Sequence, residues 1–88
     1  MPSFYSSQFD RSIINCTIEY FLDLSSQETF EGVIDNISEA GICLITSNHL
    51  EEGQEIIIKT DIFLPSHSAQ VCWVKPHENA YKVGLKFI

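Results

Sequence analysis

The side chains with the most chemical capacity in this 88-residue sequence are three histidines, His49, His67 and His77, and three cysteines, Cys16, Cys43 and Cys72. A zinc site or a metal-assisted hydrolase needs His or Cys at short, fixed spacings, so that ligands converge on one point. Neither H-x-x-x-H nor C-x-x-C occurs here. Spacing permits a Cys/His dyad, but no activating context accompanies any cysteine. The sequence is therefore not read as an enzyme, and no metal or cofactor is expected. The odd cysteine count and wide spacings also argue against a disulfide framework, which suits a reducing compartment. The cysteines are expected to be small core residues within strands. A second grouping has binding rather than catalytic character. Asn36-Ile37-Ser38-Glu39-Ala40-Gly41 brings an amide, a hydroxyl and a glycine into one short stretch. The same stretch makes a good structural turn, since Asn and Ser bond local backbone and Gly closes the turn.

Composition bounds what these groups can meet. The length allows one domain with a modest core. Hydrophobic residues make up 44% and charged residues 19%, which is globular rather than disordered. Lys and Arg total 5 against 12 Asp and Glu, for a net charge of −7. Nucleic acid binding depends on neutralising phosphates with basic side chains, so a nucleic acid partner is not expected, and an OB-like barrel of this size carries the wrong charge. An anionic membrane surface is disfavoured for the same reason. No apolar run approaches the roughly 18 residues that span a bilayer. The polar and aromatic Met1 to Asp10 stretch has neither the basic nor the apolar region of a signal peptide. The expected location is the cytoplasm, without membrane insertion.

Short β-prone segments separated by turn residues must position the candidate groups. Met1–Asp10 reads as a flexible N-terminal arm, and residues 11–88 as one folded domain. The expected strands are Ile14 to Leu22, Thr29 to Ile37, Ile42 to Thr46, Glu55 to Leu64, Ala69 to Lys75 and Tyr81 to Ile88. Pro76-His77-Glu78-Asn79 is expected to form the last hairpin turn. Alternation puts Ile18, Tyr20 and Leu22 on one face, and Val83, Leu85 and Phe87 on one face. It also puts Val71 and Trp73 together, opposite Cys72 and Val74. Asn48 to Gly53 can hold one helical turn at most. Six strands in so short a chain protect their edges best by closing, so an all-β six-stranded antiparallel barrel with little or no helix is expected.

The order of motifs resembles the PilZ domain family from about Arg11 to Phe87. Asn36, Ser38 and Gly41 match its [D/N]-x-S-x-x-G signature. Leu50-Glu51-Glu52-Gly53-Gln54-Glu55-Ile56 resembles its L-x-x-G-x-x-I segment. Val71-Cys72-Trp73-Val74 with Tyr81-Lys82-Val83-Gly84-Leu85-Lys86-Phe87 resembles its closing hairpin. The family's R-x-x-x-R motif is incomplete. In the preferred register Ser7 and Arg11 occupy its two arginine positions, which keeps Ile18 and Tyr20 in phase with the first strand. In the other register the pair is Arg11 and Asn15. PilZ domains commonly carry a helix after the last strand; the sequence stops at Ile88, so a partner contact made by that helix is not carried over.

The resemblance implies a bacterial second-messenger signalling module whose ligand is cyclic di-GMP, a nucleotide with two phosphates and two guanines. It carries the family's arginine role to Arg11, whose planar fork suits phosphate oxygens and the O6/N7 edge of guanine. Asn36 would then bond a base and Ser38 a phosphate oxygen. Gly41 would permit positive φ and close backbone approach. Trp73 is read either as a core residue, which its bulk favours, or as a platform stacking on guanine. A missing arginine removes charged hydrogen bonds of about 1.5–3 kcal/mol each, so the nucleotide is expected to bind weakly or not at all. The alternative is an adaptor that binds no nucleotide and docks a basic protein partner, with Phe4, Tyr5 and Phe9 as anchors.

Overall fold

A computed structural model describes residues 13–22, 25 and 27–88. The six strands are β1 (Thr17–Phe21), β2 (Phe30–Ile37), β3 (Gly41–Thr46), β4 (Glu55–Ile58), β5 (Ser68–His77) and β6 (Ala80–Phe87). Every pairing is antiparallel, and the order β1-β2-β3-β6-β5-β4 closes through Tyr20↔Ile58 and Phe21↔Ile57. The expected barrel is therefore the observed one, and no strand or α-helix lies outside it among the described residues.

Alternation drives closure. Ile18, Tyr20, Ile34, Leu44, Ile56 and Val83 point inward from successive strands and are almost wholly buried. Each such side chain contributes about 1.5–3 kcal/mol on leaving water. An eight-stranded barrel is just wide enough for side chains to fill it, so a six-stranded one has no room inside for a ligand. Any binding site of this domain lies on its outer face. The polar exception inside is Thr46, 2% exposed. It donates to the Glu31 carbonyl at 2.8 Å, so the 2.9 Å contact with Tyr20 must have the tyrosine as donor.

Several boundaries depart from expectation. The first strand begins at Thr17 rather than Ile14, because the Cys16 amide donates to the Ile13 carbonyl and Asn15 takes φ 72°. The fourth strand stops at Ile58 rather than Leu64. Thr60 Oγ1 accepts from the Glu19 amide, and the chain then leaves the sheet until Ser68. Leu64 is nevertheless 7% exposed and packs into the core from this excursion. The fifth strand runs on to His77, through Pro76. Past Val71 no strand lies on the β4 side of β5 among the described residues, and an edge tolerates proline. The last hairpin is thus tighter than expected. His77 pairs with Ala80 and the loop is Glu78-Asn79, with Glu78 at the positive φ of 54° that the first position of such a loop needs.

A β-bulge between Val71 and Trp73 overturns the expected alternation of β5. Val71 is buried, whereas Cys72 and Trp73 both face outward. The cysteines are likewise not core residues. Cys16 and Cys72 are exposed, Cys43 is half-buried on the outer face of β3, and none is in a disulfide.

The expected arm over Met1–Asp10 lies outside the described residues, as do Ser7, Arg11 and the anchors Phe4, Tyr5 and Phe9.

A polar groove on the outer face of the barrel

The Asn36–Gly41 stretch is the hairpin joining β2 to β3. The Ser38 amide donates to the Gly41 carbonyl at 2.9 Å, and Ser38 Oγ accepts from the Ala40 and Gly41 amides at 3.3 Å. Those bonds use the oxygen as an acceptor and leave the hydroxyl hydrogen to give away. Asn36 is exposed, and its Oδ1 accepts from the Ile37 amide at 2.8 Å. What its side chain offers a ligand is therefore the Nδ2 donor pair. A second bulge, at Asp35, turns this end of β2 outward: Ile34 pairs with Leu44 and Asn36 with Cys43.

Gly41 is required by close approach and not by a positive φ, which among the glycines belongs to Gly53 alone. A Cβ at Gly41 would lie 2.1 Å from the Leu85 carbonyl oxygen of β6. The β2–β3 turn is thereby pressed against β6, which brings it to the bulged part of β5. There the Trp73 indole covers Gly84, its cross-strand partner, and is 36% exposed. Trp73 is thus a surface ring on a glycine seat. Lys75 Nζ stands 5.2 Å from the ring centroid.

Asn36, Ser38, Gly41 and Trp73 line one open groove of about 300 Å³, together with Cys72, Gly84 and Lys86. Four of the five residues expected at the site come together there, although two separate hairpins, β2–β3 and β5–β6, supply them. The fifth, Arg11, lies outside the described residues. At the start of the described chain, the Asn15 amide donates to the Ile34 carbonyl at 2.6 Å, and the Ile34 amide donates to the Cys16 carbonyl at 2.9 Å. The segment leading into β1 therefore lies beside β2 just before the Asp35 bulge. Lys86 and Gly84 were not singled out from sequence. The glycine facing a tryptophan across a hairpin was the available signal for Gly84. For Lys86 there was none without the register.

Behind the groove, Lys82 Nζ lies 3.6 Å from Asp35 Oδ2. Burial pushes the Cys43 thiol up from its ordinary value, and the neighbouring Asp35 carboxylate adds to the rise, against a smaller opposing pull from Lys82. Cys43 is held as a neutral thiol, which is poor preparation for a nucleophile. Among the described residues no group of His, Cys, Asp and Glu is arranged to hold a metal ion.

The fold and groove define a small closed β-barrel that can take a ligand only on its outside. The family model for the PilZ domain matches residues 6–88, and the chain belongs to that family. PilZ domains are non-catalytic cyclic di-GMP receptors that act in signalling. No curated protein matches the sequence. No helix among the described residues is long and apolar enough to cross a membrane.

Proposed function

We propose that this domain is a cytoplasmic cyclic di-GMP receptor of reduced affinity, which holds the dinucleotide against its outer face with Arg11, Asn36, Ser38, Gly41 and Trp73. The convergence of Asn36, Ser38, Gly41 and Trp73 on one open groove carries the reading. In it, the Asn36 Nδ2 donors meet a base edge and the Ser38 hydroxyl donates to a phosphate oxygen. Gly41 keeps the turn low beneath the ligand, and Trp73 offers a ring face to a guanine. Arg11 supplies the principal cation, and Lys86 at the groove adds a second. Having Ser7 or Asn15 where the family has a second arginine lowers affinity by about 10- to 100-fold, from the roughly 1.5–3 kcal/mol of a charged hydrogen bond. On binding, the domain changes a contact with a protein partner.

Isothermal titration with cyclic di-GMP, with Arg11→Ala as the comparison, tests this. Saturable heat in the wild type that is lost in Arg11→Ala is expected. Equal binding by both would overturn the assigned site. No heat up to about 100 μM, weaker than about 5.5 kcal/mol, would favour the second reading, an adaptor that binds protein and no nucleotide. The observation on that side is Phe63, a phenylalanine 71% exposed on the excursion between β4 and β5.

A further inference from the structure

Trp73 has a second groove on its other flank. It has a volume of about 450 Å³ and is lined by Asp35, Asn36, Trp73, Lys75, His77 and Lys82. Two lysines stand directly opposite each other in it, because β5 and β6 pair Lys75 with Lys82. Like charges at opposed positions of an antiparallel pair repel, and a sheet ordinarily avoids them. This chain had every opportunity to do so. It has 12 acidic residues and 5 basic ones, yet Lys75, Lys82 and Lys86 all fall on this one hairpin.

The existing contacts relieve the repulsion only in part. Lys82 reaches Asp35 at 3.6 Å, with both side chains about a third exposed (33% and 38%). That distance is longer than the ~2.7–2.9 Å of a charge-assisted hydrogen bond. Lys75 makes no ion pair among the described residues and stands over the indole ring instead. Both ammonium groups are thus held by loose contacts that a bound anion can replace with shorter ones. The groove is also open at its rim, since among the described residues β5 past Val71 has no strand on its other side.

We propose that this groove is a phosphate-binding subsite. Lys75 and Lys82 together would hold one doubly charged phosphate group, inorganic or carried on a nucleotide, with the Asn36 amide as a further donor. Asn36, Cys43 and Trp73 form the wall shared with the Asn36–Ser38–Gly41 groove. The proposal goes beyond the cyclic dinucleotide reading and does not rest on it, because the phosphate alone is recognised.

The purified domain would be titrated with pyrophosphate and followed through the emission of Trp73, the sole tryptophan. Drawing Lys75 off the ring changes that emission directly. A saturable change is expected in the wild type and in Lys59→Gln, whose lysine pairs with Glu19 elsewhere on the barrel. Lys75→Gln and Lys82→Gln should each weaken it about 10-fold, the loss of one charged hydrogen bond. The double variant should show no saturation while keeping the wild-type melting temperature or exceeding it, since the repulsion is gone. A parallel titration with GMP separates the sources. Tighter binding than pyrophosphate places the phosphate on a nucleotide whose base stacks on Trp73, and equal or weaker binding places it on an inorganic anion. No saturable change in the wild type up to about 10 mM, or saturation at the wild-type midpoint in the double variant, overturns the proposal.

Discussion

The indole of Trp73 rests on Gly84 so closely that a Cβ on the glycine would fall 2.2 Å from Cε2 and 2.3 Å from Nε1. A second close approach of another kind lies on the other side of β6, where Gly41 of β3 meets the Leu85 carbonyl oxygen at 2.1 Å from its would-be Cβ. The first obstacle is a half-exposed side chain that can swing outward. The second is backbone in the middle of a paired strand.

The two glycines should therefore respond differently to alanine. Gly84→Ala is expected to cost about 1 kcal/mol, and Gly41→Ala about 3 kcal/mol, the two ends of the usual range for overpacking. Urea unfolding gives both values. Trp73 emission should move to longer wavelength in Gly84→Ala, as the ring lifts into water, and should stay in place in Gly41→Ala at low urea. Equal costs would show that the β2–β3 turn can move away from β6.

Inside the barrel, Tyr20 and Thr46 make the corresponding test of polar burial. The Thr46 hydroxyl donates to Glu31 and accepts from Tyr20, and it also accepts from the Asn48 amide at 3.3 Å. Tyr20→Phe removes one donor and leaves Thr46 with its other partners, so a loss of about 1 kcal/mol is expected. Thr46→Val keeps the shape but strands the Tyr20 hydroxyl, a buried group with no other partner described. That variant should lose about 2–3 kcal/mol. Denaturant midpoints for the pair decide it, and the order of the two is the sharper outcome.

Cysteine reactivity should follow the surroundings of each thiol. Alkylation proceeds through the thiolate, so a raised pKa means a smaller reactive fraction at any pH below it. Cys43, held up by burial and by Asp35, should react with iodoacetamide at pH 8 more slowly than exposed Cys72. Asp35→Asn removes the neighbouring carboxylate and should speed Cys43 labelling while Cys72 is unaffected. Peptide mapping of a labelling time course reads both sites in one experiment.

Periodicity and punctuation in the sequence were enough for the barrel and for much of the site. Ile56 and Ile58 alternate inward with Ile57 between them, and Val83 and Leu85 do the same on β6. Such patterns are local, since the backbone sends successive side chains to opposite faces whatever the partner strand. The Asn36–Gly41 turn was also legible, because Ser38 bonds amides only two and three residues away. Tertiary structure decided the rest. Whether Trp73 points in or out depends on a bulge that Val71, Cys72, Trp73 and Val74 do not announce, all four being compatible with either face. The seat of Trp73 on Gly84, the Lys75–Lys82 pair and the place of Lys86 opposite Gly41 all follow from the register of β5, β6 and β3. Register is set by contacts between residues far apart in the chain, and a shift of one position reverses every side chain on a strand. The residue types able to bind a ligand were therefore readable one at a time, and the groove that joins them exists only once the strands are paired.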